Sequence, residues 1–141
     1  MPFEYCAECQ RCCHVDTGYP SLEITLTAAE IKTHQAICIQ RRCPHLGNEG
    51  CRLGEQKPFS CQMYPLVYEP QERRFFYDTE CPVMPRYIEQ LQSKRSVASR
   101  HLRQIQKTVN VLSQMDFDFL KRNYAIDRDY FVMKPLPVPK T

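Results

Sequence analysis

The sequence predicts an α+β fold: a small, irregular, metal-organised domain with short strands, a β-hairpin and a long C-terminal helix. Three observations carry that expectation. All nine cysteines precede residue 82, two β-type runs flank PQER, and an apolar stripe with helical spacing begins after Pro85. At 141 residues the chain suits one domain with a modest core. Residues 1–82 read as a cysteine-cluster metal-binding region, 83–123 as a packing helix of the same domain, and 124–141 as an extended Pro-rich tail.

The elements follow in order. CAECQRCCH, from Cys6 to His14, packs four cysteines into one short loop. SLEITL then alternates Leu22, Ile24 and Leu26 on one face, the pattern of a half-buried strand. TAAE follows as a capping box. Thr27 caps the amide of Glu30 and Glu30 reaches back to the amide of Thr27, with Leu26 and Ile31 at the staple positions. A short helix from Ala28 to about Cys38 is expected. The stretch RRCPHLGNEGCRLGEQKPFSCQMYP is irregular, with turn residues Gly47, Asn48 and Gly50. LVYE and RFFYDTE around PQER read as a hairpin. From Pro85, Ile88, Leu91, Ala98, Leu102, Ile105, Val109 and Leu112 form one helical stripe, interrupted at Arg95. KPLPVPKT closes the chain with alternating prolines that favour extended backbone.

Charge excludes little and directs little. The net charge of +3 does not by itself call for nucleic acid. Between residues 86 and 107, Arg86, Lys94, Arg95, Arg100, Arg103 and Lys107 face one acid, Glu89. Such a basic helix can meet an acidic protein partner, RNA or a membrane surface, although a solvated face behind a core stripe is the simpler reading. No aromatic platform interleaves with it, which weighs against nucleic acid. No apolar run approaches a membrane span, and MPFEYCAEC has no basic region followed by an apolar stretch. A cytoplasmic, reducing setting is therefore expected.

That setting determines how the cysteines read. In a secreted chain they would form a disulfide framework; in a reducing compartment clustered thiols serve as metal ligands or redox groups. Cys6, Cys9 and Cys12 form a Cys-x2-Cys-x2-Cys run, so one loop offers three soft anionic ligands. A fourth ligand is open to Cys13, Cys43, Cys51, Cys61 or Cys81. Adjacent residues project differently, so Cys13 serves a second centre or face. Cys38, inside the expected helix, reads as a small buried hydrophobe. The other eight match two four-thiolate sites, or one site plus four thiols with other duties. Three close cysteines with a distant Cys-Pro, either Cys43-Pro44 or Cys81-Pro82, resemble ferredoxin usage locally. The residues therefore rank an iron–sulfur cluster of the [4Fe-4S] kind ahead of zinc, in one or two centres. His14 and His45 are secondary ligand candidates, whereas His34 and His101 read as ordinary helix residues. Tyr64, Tyr68, Tyr77, Arg73 and Arg74 could line an active site, but strand residues around a hairpin explain them better.

In order, CAECQRCC, LTAAEI, Cys43, Cys51, KPFSCQMYP and Cys81 resemble the CxxCxxCC, or YkgJ-like, cysteine-cluster family over residues 6–82. The resemblance implies zinc or iron chelation by Cys6, Cys9, Cys12, Cys13, Cys43, Cys51, Cys61 and Cys81. Pro58, Cys61 and Pro65 fit an RPxxCxxxP-like box, except that Lys57 stands where arginine is usual. Lysine keeps the charge but loses the planar two-point donor fork. Flagellin lysine N-methylases carry a related cysteine-rich region, so a metal-dependent modifying enzyme is the alternative reading. The chain is short for a methyltransferase and shows no glycine-rich strand–loop–helix element.

Overall fold

The alternation in SLEITL becomes burial. Leu22 and Leu26 are buried, Ile24 is half-buried and Glu23 is exposed. In the computed structural model, which describes residues 15, 20–47, 50–51, 53 and 57–137, strand β1 is Leu22–Glu23. It pairs antiparallel with β2, Cys38–Ile39, placing Leu22 opposite Ile39.

Helix α1, Ala28–His34, starts at the capping box read from TAAE. Thr27 Oγ1 accepts from the Glu30 amide at 3.2 Å, and Glu30 Oε1 accepts from the Thr27 amide at 3.0 Å. Ile31 stays 43% exposed, so the staple position adds little burial. The helix ends at His34, before Cys38, because Gln35 turns to φ 62°. Cys38 consequently sits exposed in β2, not buried in a helix as expected.

The second carboxylate oxygen of Glu30 reaches further. Its Oε2 accepts from the Phe59 amide at 2.9 Å, at the start of helix α2, Phe59–Met63. Between α1 and α2, β3 (Leu46–Gly47) and β4 (Gly50–Cys51) form a small antiparallel pair.

The hairpin expected around PQER is present. Strand β5, Leu66–Glu69, pairs with β6, Arg74–Asp78, from Leu66 opposite Tyr77 to Glu69 opposite Arg74. Arg73 closes the connection in the left-handed region at φ 56°.

The helical region differs from the single helix expected over 83–123. It divides into α3 (Met84–Gln90), α4 (Val97–Met115) and α5 (Phe117–Tyr130). Short polar side chains make both breaks. Ser96 Oγ donates to the Gln90 carbonyl at 2.6 Å and accepts from the Ser99 amide at 3.1 Å, capping α4 beside Arg95, where the stripe lapses. Asp116 Oδ1 accepts from the Phe119 amide at 3.2 Å to cap α5, while Oδ2 accepts from the Ala28 amide at 2.7 Å. Asp116 thus ties the start of α5 to the start of α1.

The tail also differs from expectation. Residues 124–130 continue α5, and β7, Met133–Pro135, joins β6 as the third strand of the sheet. Proline lacks an N–H and is tolerated at such an edge. Leu136, 2% exposed, donates its amide to the Phe75 carbonyl at 2.9 Å and anchors the segment in the core.

Two apolar clusters result. The larger joins α2, the hairpin and α3–α5 through residues such as Met63, Leu66, Tyr87, Ile105, Val109 and Phe119. Ala98, Ile105 and Val109 of the stripe are buried there, with Ile88, Leu91, Leu102 and Leu112 partly buried. The smaller gathers Val15, Leu22 and Ile39 against Ile24, Cys43 and three residues at the end of α5 and just beyond: Ile126, Tyr130 and Phe131. Among the described residues, no helix is long and apolar enough to cross a membrane.

His101 is a residue of α4, as expected, and it also ties together elements packed around the larger cluster. Its Nε2 donates to the Gln62 carbonyl at 2.8 Å, since that oxygen can only accept, and Nδ1 accepts from the Tyr87 hydroxyl at 2.8 Å. This neutral tautomer links α2, α3 and α4. Burial lowers the His101 pKa from its usual 6.5, against the opposing Gln62 hydrogen bond, and burial raises that of Tyr87.

Two outcomes are expected in denaturant titrations. Glu30→Ala strands the Thr27 and Phe59 amides and lowers stability by about 1–3 kcal/mol, more than Thr27→Ala at about 1 kcal/mol. Because the unfolded chain takes up the His101 proton first, stability falls as pH drops below 6.5. His101→Gln should flatten that acid limb; an unchanged limb would remove His101 from the account.

Candidate functional site: a thiol-lined cavity

Helix α5 turns one face toward the smaller cluster. Asn123 and Asp127, four residues apart, and then Phe131 come to lie along that side. Across from them are Leu22, Ile24 and Thr25 from β1 and its continuation, with Ile37 and Ile39 around β2. Ser60, Cys61 and Tyr64 close a third side from α2, which the Glu30 carboxylate holds in place. Ser60 Oγ donates to the Thr25 carbonyl at 2.8 Å, fixing α2 to the β1 side. The cavity, open to solvent on part of its boundary, measures about 40 Å³, and Cys43, His45 and Lys57 also line it.

The eight candidate ligands are distributed as follows. Cys43 and Cys61 line the same cavity although they are remote in sequence. Cys51 lies in β4, opposite Leu46 of β3, so a tight hairpin separates it from Cys43. Cys81 is elsewhere: it is 7% exposed within the larger cluster, just before α3. Cys6, Cys9, Cys12, Cys13 and His14 lie outside the described residues. Among the described residues, no three His, Cys, Asp or Glu side chains come together in a group that could hold a metal ion. His45 shares the cavity and stacks obliquely near His34, with ring centroids 6.2 Å apart.

Tyr64 is the member of the tyrosine and arginine set that reaches the cavity. Its hydroxyl donates to Asp78 Oδ2, and Asp78 Oδ1 accepts from the Glu80 amide at 3.0 Å. Tyr68 is buried edge-on against Phe75, and Arg74 lies 5.6 Å above the Phe76 ring. These are sheet-packing roles.

One acidic group of the cavity, Asp127, is a residue the sequence did not single out. Burial, and after it the negative charge of Asp78, push the Asp127 carboxyl up to about 7, against a hydrogen bond from the Asn123 side chain. Thr25 Oγ1 and Asn123 Oδ1 are buried without a hydrogen-bond partner. One signal was available: Asn123 occupies an apolar-stripe position after Phe119 and Leu120, where a polar residue is out of pattern.

The cavity therefore combines soft thiol donors on one side with oxygen acceptors on another. No protein-family model, curated protein or solved structure matches the chain.

Asp127 makes the cavity pH-sensitive in a stated direction. The unfolded chain ionises this carboxyl near 3.8, well before the folded one, so its contribution to stability declines as pH rises from about 4 through 7. Asp127→Asn should gain stability relative to wild type at pH 8 compared with pH 5, measured by urea unfolding. Parallel pH curves for the two proteins would contradict the assignment.

Proposed function

We propose that the protein is a cytoplasmic metal-binding protein of the CxxCxxCC type, with one or two thiolate-ligated centres. The observation that carries this reading is that Cys43, Cys61 and His45, from separate segments, all line one cavity. These two thiols are remote in sequence yet line one cavity, and soft sulfur donors suit iron–sulfur clusters or zinc. Two described thiols and an imidazole fit such a group in chemistry, while among the described residues no three such side chains gather as one ligand set. Cys6, Cys9, Cys12 and Cys13 are the candidates to complete it, and Cys51 and Cys81 the candidates for a second centre. An iron–sulfur cluster stands ahead of zinc, on the Cys-x2-Cys-x2-Cys run and the Cys-Pro pairs. A cluster would supply electron transfer or redox sensing; the chain would hold it and exclude water with Leu22, Ile24, Ile39 and Phe131.

Arg86, Lys94, Arg95, Arg100, Arg103 and Lys107 are all exposed, which supports an acidic protein partner for this face. The enzyme reading is weaker, because Tyr64 at the cavity is already engaged with Asp78.

Anaerobic purification tests the metal directly. The expected protein is brown, with iron and acid-labile sulfide in comparable amounts; a colourless protein with stoichiometric zinc reverses the choice of metal. Cys9→Ser and Cys61→Ser should lose metal and stability, whereas Cys38→Ser, altering an exposed β2 residue, should keep both. Chelation of a structural centre should unfold the domain, since metal binding supplies folding free energy.

A further inference from the structure

Thiolate ligation gives the oxygen-bearing side chains of the cavity no task. Thr25, 4% exposed, and Asn123, 2% exposed, both line the cavity and carry the partnerless oxygens Thr25 Oγ1 and Asn123 Oδ1. Buried polar oxygens nearly always find a donor. Both line the same cavity: Asn123 Oδ1 is an acceptor, Thr25 Oγ1 can accept, and each is open to a donor that comes from outside the chain. Asp127 stands beside them, held by the Asn123 side chain one turn earlier. Of the other charged side chains on the described wall, Glu23 and Lys57 cancel in sign, so ionised Asp127 leaves the lining net negative. Much of the remaining described lining is aliphatic and aromatic: Leu22, Ile24, Ile37, Ile39 and Phe131.

We propose that this cavity binds the primary ammonium group of an alkyl amine, with Thr25 Oγ1, Asn123 Oδ1 and the Asp127 carboxylate accepting its N–H donors and the stem lying along the Leu22, Ile24 and Ile39 wall. Donor count and size select that chemistry. An ammonium offers donors and no acceptor, matching a wall that presents oxygens. About 40 Å³ is room for roughly three water-sized groups at ~10–15 Å³ each, enough for an ammonium and the start of its stem. A planar guanidinium needs a wider slot and a fork of acceptors. A hard divalent cation seeks roughly six or more oxygens and has no use for an aliphatic wall. An anion meets acceptors and a carboxylate, so it is repelled. The ammonium also offsets the Asp78 and Asp127 charges that otherwise oppose each other. The inference differs from the metal reading in using oxygens and no thiol, and shares with it the Leu22, Ile24 and Ile39 side chains.

The test is a titration of the full chain, as purified, with n-butylammonium, followed by NMR shifts of the cavity residues. Saturable binding is expected, at least tenfold tighter than for 1-butanol or butyrate. A capped tripeptide with a central lysine forms the second arm. Tighter binding of the peptide assigns the ammonium to a protein chain, and tighter binding of butylammonium assigns it to a free amine. Thr25→Val deletes a hydroxyl that has no partner, so it should melt at or above the wild-type temperature while binding the amine at least tenfold more weakly. Thr25→Ser should restore binding, and Asp127→Asn should also weaken it at least tenfold. Metal content measured in the same samples should stay constant across these variants. Absence of saturable binding, equal binding of 1-butanol, displacement of the amine by Ca²⁺, undiminished binding by Thr25→Val, or parallel loss of metal and amine would each overturn the proposal.

Discussion

The Glu30 carboxylate is the interaction on which the arrangement depends. One oxygen closes the capping box of α1 by accepting from Thr27, and the other accepts from Phe59 at the start of α2. A capping residue usually serves its own helix. Here it also fixes a second helix, one too short to hold its position by its own hydrogen bonds. Because α2 carries Ser60, Cys61 and Tyr64, a local cap sets one wall of the cavity. Asp116 works the same way from the other direction, capping α5 while accepting from Ala28. The two carboxylates bind both ends of the cavity frame to α1.

The cavity lies where the two apolar clusters meet, and that position explains its mixed chemistry. The larger cluster supplies rigid support through α2 and α5. The smaller is too sparse to fill the space beside them: Val15, Leu22 and Ile39 are its buried members. Polar groups on α5 therefore border a gap instead of a packed core, and they acquire the properties of desolvated groups. Asp127 is the clearest case, with a carboxyl held near neutral pH by burial and by the Asp78 charge. Perturbed groups at a concave surface are the usual mark of a binding site.

Local patterns were legible wherever neighbouring residues determine the outcome. The capping box at Thr27 and Glu30, the hairpin around PQER and the buried stripe through Ala98, Ile105 and Val109 all rest on short-range geometry. The helix breaks at Ser96 and Asp116 were legible in principle, since both are good N-caps, but the continuous stripe obscured them. The tail was not legible. KPLPVP favours extended backbone alone, and only the free edge of β6 makes it a strand. Of the candidate site, Cys43 and Cys61 could be named from their residue type; that they line one cavity could not. Thr25, Asn123 and Asp127 carry no motif, and each becomes notable only through what surrounds it.

By itself, the sequence determined the α+β class, the start of α1, the hairpin and the thiols available for chemistry. These follow from propensity, periodicity and side-chain chemistry, which act over a few residues. Only the tertiary structure decided that Glu30 reaches Phe59, that β7 completes the sheet, and that Cys81 packs apart from Cys43 and Cys61. It alone joined the acceptors of α5 and Thr25 to the thiol wall. The reason is physical: desolvation and charge coupling depend on distance in space, and that distance is set by packing between segments far apart in the chain.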